Sequence, residues 1–250
     1  MTTDSPLADI RAEAGRVVAA AQAQGLALRL LGGLAVALHA PSAALPALAR
    51  TYADIDLVAP ARQGGAAERV LAGLGYQPDR EFNLLNGAER LLLRDPTHSR
   101  QVDVFVGQFS MCHRIPVAER LEIEPLTLPL AELLLTKLQI VQLNEKDLRD
   151  ICALLLDHPV GQGDAETVNA ERVARLCAED WGLWRTVSLG LERARAFALA
   201  SGLDPQAART VDGHADALLA ALEQSPKSLR WKLRAAVGER VQWYELPEEV

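Results

Sequence analysis

The sequence predicts an α+β fold, with a mixed sheet and flanking helices in the first half and an all-helical C-terminal region. Before Pro125, short apolar runs typical of strands alternate with helical patterns, and Gly, Pro, Asn and Asp residues separate them. From Thr127 onward, Leu- and Ala-rich segments with helical spacing follow one another. Since strands come first and helices afterwards, we expect two domains, residues 1–125 and 126–250.

Composition and charge narrow the class of protein. The chain has 250 residues, 49% of them hydrophobic, which is enough for one large domain or two modest ones. Its net charge of −7 argues against a dedicated binder of bulk nucleic acid, although a local basic patch stays compatible with it. We expect a cytoplasmic protein with no membrane span, disulfide framework or zinc site. No run of 18 or more apolar residues and no Cys-x-x-Cys pair occurs, and the first ten residues lack the basic and apolar pattern that would predict a secretory signal.

The N-terminal segments predict a helix, a strand and a second helix. Residues 6–24 have apolar positions at near-helical spacing and end at a glycine, which predicts a helix. Residues 26–31 (LALRLL) form a short apolar run that suits a buried strand. The pair Gly32 and Gly33 follows, and residues 34–40 predict a helix that stops before a proline-containing loop.

A strand is predicted at residues 52–59 because acidic and apolar residues alternate there. Ile55 and Leu57 would lie on one face of this strand, and Asp54 and Asp56 on the other.

The next segments predict a helix, a hairpin and two further strands. Residues 64–74 are helical in pattern and end at a glycine. In residues 82–93 an Asn-Gly pair lies between two apolar runs, which predicts a type I′ hairpin. A further turn leads into QVDVFV at residues 101–106, which predicts a strand, and residues 120–124 would add another.

The C-terminal half is predicted to be helical with short interruptions. The predicted helical segments are residues 129–143 with Thr127 as the cap, 146–156, 165–223 with a break at 202–205, and 228–240.

Three aspartates and the glycine pair form one chemical pattern. Asp54 and Asp56 are two residues apart on one strand, and Asp103 lies between valines on another. Carboxylates are the hard oxygen ligands that Mg²⁺ prefers, and a pair of divalent cations can clamp a triphosphate. Gly32 and Gly33, between a strand and a helix, can offer backbone amides to phosphate oxygens. Because clustered carboxylates repel one another, three of them on adjacent buried strands need cations between them.

Each part of this pattern also has a structural explanation. An Asp-x-Asp pair can mark a solvated strand edge, and a glycine pair can form a tight turn. Asp103 can be a surface carboxylate on an amphipathic strand. Their order and context along the chain favour the chemical interpretation.

Three motifs resemble the nucleotidyltransferase superfamily that includes DNA polymerase beta. These are LGGLAV (residues 31–36), RTYADIDL (50–57) and QVDVF (101–105). Within the superfamily the chain is most similar to the AbiEii-type toxin and minimal nucleotidyltransferase branch. The resemblance covers about residues 26–156 and includes LLLTKLQIV and EKDLRDI in the helical part.

The resemblance implies an enzyme that uses Mg²⁺ or Mn²⁺ and transfers a nucleoside monophosphate from a nucleoside triphosphate to an acceptor hydroxyl. It implies that Asp54 and Asp56 ligate both metals, and that Asp103 ligates one and helps to activate the acceptor. The residues implied to bind the nucleotide are Gly32, Gly33, Lys137, Lys146, Asp147 and Asp150.

Several alternatives stay open at this point. Lys137 can instead extend to solvent from a leucine-rich helix, and Lys146 and Asp150 can form a surface pair. Leu34 stands where the family often has Ser or Thr, which removes a hydroxyl contact to phosphate. The acceptor can be a tRNA end, a protein or a small molecule, and an antitoxin-like partner is implied as well. The alternative function is a catalytically inactive protein of the same fold that binds a nucleotide or a partner.

Overall fold

A computed structural model of the chain describes residues 5–246, which divide into two compact units. The first comprises the chain up to Leu38, Thr51–Ser110 and Ile115–Pro129, and the second comprises His39–Arg50, Met111–Arg114 and the chain from Leu130 onward. The architecture is mixed α+β, with the main sheet in the first half and helices dominating the second, so the predicted fold class is confirmed.

The first half of the chain alternates helices with strands. In order, its elements are α1 (Ile10–Ala23), β1 (Arg29–Leu31), α2 (Gly32–His39), β2 (Ile55–Ala59), α3 (Gly64–Gly73), β3 (Gln77–Pro78), α4 (Arg80–Asn86), β4 (Arg90–Arg94), β5 (Gln101–Val106), β6 (Gln108–Ser110) and β7 (Arg114–Pro116). Short 3₁₀ turns occupy Pro41–Ala44 and Ala118–Arg120.

A five-stranded sheet with the order β1-β2-β5-β4-β3 forms the centre of the first unit. β2 and β5 are parallel, and the other neighbouring strands are antiparallel. The β2 ladder with β5 begins where Ile55 pairs with Val102, so β2 is shorter than predicted and Asp54 lies one residue before it. The apolar side chains of β2 and β5 are buried, which makes these two strands the core of the sheet.

The hairpin predicted around Asn86 and Gly87 is wrong, because residues 80–86 form helix α4. The Asp79 side chain caps this helix by accepting a hydrogen bond from the Phe82 amide. Gly87 ends it, and a Cβ there would lie 2.3 Å from the Asn83 carbonyl oxygen. The Asn83 side-chain oxygen also accepts a hydrogen bond from the β4 amide of Leu92, so the polar groups of this segment are satisfied as a helix.

Two smaller predictions near the end of the first unit are also wrong. Residues 120–124 contain no strand, because Arg120 ends the 3₁₀ turn and the residues after it form turns and a bend. Thr127 does not cap the next helix, which begins at Leu130. Thr127 instead forms a parallel bridge with Leu30 of β1, and the Leu128 amide donates to the Leu30 carbonyl. Strand pairing therefore delays the start of the helix.

The second unit is built from helices, as predicted. Its helices are α5 (Leu130–Leu138), α6 (Glu145–Asp157), α7 (Ala170–Glu179), α8 (Trp181–Ala200), α9 (Pro205–Gln224) and α10 (Leu229–Val237). A short parallel pair, β8 (Val160–Gly161) and β9 (Val168–Asn169), interrupts the helical pattern. Across residues 5–246, every helix is too short or too polar to cross a membrane.

The buried carboxylate of Glu13 ties α1 to the rest of the first unit. Glu13 is 0% exposed and accepts hydrogen bonds from Arg16, from the Tyr76 hydroxyl at 2.6 Å and from the Leu7 amide. Burial by itself would raise the pKa of Glu13, but these hydrogen bonds outweigh it and hold the pKa below its ordinary value of 4.5.

The stability of the chain is therefore expected to depend on Glu13 in acid. A carboxylate with a lowered folded-state pKa stabilises the fold above pH 4.5, and this contribution is lost as the pH falls through the lower folded-state pKa. We expect Glu13→Gln to lower the melting temperature most at neutral pH, and the difference from the unaltered chain to shrink below pH 4.5. Thermal melts of both proteins from pH 7 to pH 3 measure this, and a difference that is constant with pH would contradict it.

Candidate active site

The parallel ladder between β2 and β5 places two of the predicted aspartates side by side. Asp56 pairs directly with Asp103 in the register. Paired residues in neighbouring strands share one phase of the pleat, so both side chains project from the same face of the sheet. Asp56 is half-buried and Asp103 is 3% exposed. Asp54 is exposed and lies just before β2.

The predicted glycine turn lies against Asp56 of this pair. β1 runs directly into α2, and its last residue, Leu31, pairs with Asp56. Gly32 has a φ of +71°, and a Cβ on it would lie 2.0 Å from Oδ2 of Asp56. The backbone at the start of α2 is therefore packed against the Asp56 carboxylate, where the positive end of the helix dipole favours a negative charge. Gly32 and Gly33 are both buried.

Asp103 already has a cationic partner within the sheet. Arg90 of β4 donates from Nε to Oδ1 of Asp103 at 2.8 Å, and its Nη2 lies 2.6 Å from the same oxygen. Gln101 donates from Nε2 to Oδ2 at 2.9 Å. Both oxygens of the Asp103 carboxylate are therefore engaged by neighbouring side chains.

Arg90 lies outside the motifs that mark the site in the sequence, and the strand register explains how it reaches Asp103. Arg90 pairs with Phe105 across the antiparallel β4–β5 ladder, whereas Asp103 pairs with Leu92. Arg90 and Asp103 are thus diagonal neighbours on one face, a distance that a long side chain can span. The guanidinium of Arg90 also lies 5.3 Å from the centre of the Phe105 ring and 5.9 Å from that of Phe82. Since residues 82–93 were predicted to be a hairpin, this pairing was not foreseen.

The donor chemistry around Asp56 and Asp103 suits a divalent cation only in part. Their carboxylates are the hard oxygen donors that Mg²⁺ and Mn²⁺ accept, and they lie on one face. Within the part of the chain that the structure describes, however, no three Asp, Glu, His or Cys side chains are arranged to hold a metal ion. The Arg90 and Gln101 contacts to Asp103 would have to open before both carboxylates could share a cation.

Three of the other predicted residues meet in a charge network of the second unit. Nζ of Lys137 lies 3.0 Å from Oδ2 of Asp150 and 3.2 Å from Oδ1 of Asp147. Burial would lower the pKa of Lys137, but the two carboxylates outweigh it and raise the pKa above its ordinary value. Lys137 is therefore held as a cation between two aspartates of α6 and does not extend freely to solvent.

Arg50 and a capping box complete this network, and Lys146 stands outside it. Arg50 binds Asp150 with two donors, Nε to Oδ1 at 2.8 Å and Nη2 to Oδ2 at 2.7 Å. Asp147 forms a capping box with Asn144 at the start of α6. Lys146 is exposed, and Asp150 pairs with Arg50 and Lys137 in its place. These contacts thus join the cations Arg50 and Lys137 to the carboxylates of Asp147 and Asp150.

Comparisons with known proteins add structural similarity alone. No protein-family model matches the chain, and neither does any curated protein. Among solved structures, the chain is similar to the solution structure of the antibiotic-resistance factor ANT(2'')-Ia. The identity is 13% and the TM-score is 0.34, over 83% of this chain and 91% of that one. A similarity at this level carries no functional argument, so the function is argued from the chain's own residues.

Proposed function

We propose that the chain is a metal-dependent nucleotidyltransferase that moves a nucleoside monophosphate from a nucleoside triphosphate to an acceptor hydroxyl. One observation carries this proposal. Asp56 and Asp103 are paired in register on one face of the sheet, and the glycine-led start of α2 lies against the Asp56 carboxylate. A carboxylate pair beside a helix N-terminus provides both groups that a metal–triphosphate complex requires, ligands for the cation and amides for phosphate oxygens.

The roles of the residues follow from this placement. Asp56 and Asp103, with Asp54 just before the strand, would hold Mg²⁺ or Mn²⁺, and the amides of Gly32 and Gly33 would face phosphate oxygens. Bound divalent cations would neutralise the charge that develops at the α-phosphorus. The acceptor oxygen attacks this phosphorus, the bond to the bridging oxygen breaks, and pyrophosphate leaves. Asp103 is the group that we assign to accepting the hydroxyl proton.

The helical residues receive a more limited assignment. We propose that residues 1–125 supply the catalytic domain and that residues 126–250 form a helical domain. Triphosphate binding by Lys137, Lys146, Asp147 and Asp150 stays a prediction. The ammonium group of Lys137 contacts Asp147 and Asp150, so a phosphate would have to compete with two carboxylates for this ammonium group.

Label transfer from radioactive nucleoside triphosphates tests the proposal. Each triphosphate is incubated with Mg²⁺ and, in turn, tRNA, protein and small hydroxylated molecules as acceptors. We expect transfer by the unaltered chain and a fall of about 10²-fold or more in Asp56→Asn, as when one group that stabilises transition-state charge is removed. Glu119→Gln, which removes an exposed carboxylate of the first unit, is the matched control and should transfer normally. Absence of transfer to every acceptor, or equal transfer in all three proteins, would count against catalysis.

An antitoxin-like partner can be sought with the same assay. Such a partner would be a protein that co-purifies with the chain and suppresses the Mg²⁺-dependent transfer. A co-purifying protein that leaves the rate unchanged is not an antitoxin.

A binding protein without chemistry is the second candidate, and the Arg90–Asp103 ion pair favours it. An aspartate already neutralised by an arginine does not require a metal. The second unit also offers a cavity of about 490 Å³, which Trp181, Trp231 and Trp243 line together with several charged side chains. Calorimetric titration with Mg²⁺–nucleotide separates the two candidates. Tight binding without transfer to any acceptor would favour the second.

A further inference from the structure

We propose that Arg90 is an internal counter-ion that holds Asp103 in the metal-free chain and must be released before a divalent cation can bind there. The inference rests on the proposed function, because it assumes that Asp103 is a metal ligand. It adds a residue that neither the motifs nor the resemblance points to, and it makes Arg90 a positioning residue for the site.

Arg90 and a divalent cation would compete for the same oxygen atom of Asp103. Both donors of Arg90 converge on Oδ1 of Asp103, at 2.6 Å and 2.8 Å, while Gln101 occupies Oδ2. A divalent cation on Oδ1 would lie within a few ångströms of the guanidinium, where two positive charges repel strongly in a buried setting. Arg90 and a divalent cation therefore cannot bind Oδ1 of Asp103 at the same time.

The buried carboxylate of Asp103 requires a counter-ion in both the metal-free and the metal-bound chain. Its side chain is only 4% exposed, and an uncompensated buried carboxylate is strongly destabilising. Arg90 compensates this charge in the metal-free chain, and a cation would compensate it in the metal-bound chain. One counter-ion can thus replace the other, and the negative charge of Asp103 stays compensated throughout.

The Arg90–Asp103 ion pair is more exposed to solvent than a second ion pair in the same unit, although the Phe82 and Phe105 rings also contact the Arg90 guanidinium. The Arg90 side chain is 23% exposed, and among residues 5–246 Asp103 is the carboxylate that it pairs with. Arg100, by contrast, is 7% exposed and binds both Asp95 and the Leu7 carbonyl. Asp95 is 0% exposed and also accepts hydrogen bonds from the amides of Thr97 and His98. The Asp95–Arg100 pair is thus locked, whereas the Asp103–Arg90 pair can open toward solvent.

With such competition, the measured metal affinity equals the intrinsic affinity multiplied by the fraction of molecules in which Arg90 has released Asp103. If Arg90 covers Asp103 about nine-tenths of the time, its removal should tighten cation binding about tenfold. A purely structural arginine would behave differently, because its removal would lower stability and leave the metal affinity unchanged or weaker.

Mn²⁺ titration followed by electron paramagnetic resonance, together with thermal melts with and without Mn²⁺, tests the inference. Arg90→Met removes the charge and keeps an unbranched, largely apolar side chain. We expect it to lower the melting temperature without metal, to bind Mn²⁺ about tenfold more tightly, and to regain more stability on Mn²⁺ addition than the unaltered chain does. Adding Asp56→Asn to Arg90→Met should abolish the tight binding.

If Arg90→Met does not fold, Arg90→Lys can be used for the same Mn²⁺ titration. A lysine retains the charge with fewer donors, so Mn²⁺ binding should be tighter than in the unaltered chain but weaker than in Arg90→Met. Equal Mn²⁺ affinity in the unaltered chain and in the Arg90 variants would overturn the inference and leave the proposed function intact. If neither the unaltered chain nor the Arg90 variants bind Mn²⁺, the inference and the proposed metal site both fail.

Discussion

Replacing Gly32 with alanine is expected to destabilise the chain by about 3 kcal/mol and to disturb the aspartate pair. The left-handed backbone at Gly32, with φ of +71°, costs a residue with a Cβ about 1–2 kcal/mol. The new Cβ would also lie 2.0 Å from Oδ2 of Asp56, so either the carboxylate or the start of α2 must move. Since Asp56 is a proposed metal ligand, nucleotidyl transfer should fall together with the melting temperature.

Gly25 provides a matched control for this prediction. Its φ of +72° is nearly the same, but a Cβ there would meet no atom within 4 Å. Gly25→Ala should therefore show only the backbone strain, about 1–2 kcal/mol, and leave transfer unchanged. Urea unfolding measures the free energy of unfolding of each variant. The difference between the two variants gives the cost of the contact between the new Cβ and Asp56. Equal losses of stability would mean that Asp56 does not crowd Gly32.

Replacing Asp150 with alanine is expected to destabilise the second unit by about 3–5 kcal/mol, the usual range when one partner of a buried ion pair is removed. Asp150 is 2% exposed and accepts two hydrogen bonds from Arg50 as well as the charge of Lys137. Its loss removes the carboxylate that binds both Arg50 and Lys137, while Asp147 keeps its contact with Lys137. Urea or thermal unfolding measures the change in the free energy of unfolding.

The surface pair of Glu145 and Arg149 on the same helix is the control for Asp150. The Glu145 side chain is 65% exposed, so Glu145→Gln should change stability by less than about 1 kcal/mol. If Asp150→Ala is as mild as this control, the network does not stabilise the helical unit. If Asp150→Ala folds normally but raises KM for the triphosphate, the nucleotide-binding role implied for this segment gains support.

Local patterns were sufficient to predict most of the secondary structure. Acidic and apolar alternation predicted β2, the valine-flanked Asp103 predicted β5, and helical periodicity with glycine ends predicted α1 and α3. These signals are local, because side-chain periodicity and turn residues act within a few positions along the chain. The same patterns failed at α4, where Leu84 and Leu85 are 86% and 76% exposed and form no buried strand face.

The sequence by itself determined which residue types were available for the chemistry and on which strands they lie. Only the tertiary structure decided their partners, because strand order and register are set by pairings between segments that are far apart in the chain. The β2–β5 register brought Asp56 beside Asp103, and the β4–β5 register gave Asp103 the guanidinium of Arg90. In the same way, the packing of α5 and α6 placed Lys137 between two aspartates. A buried charge pairs with the counter-ion that the fold places next to it. The spacing of residues in the sequence does not predict which residue that is.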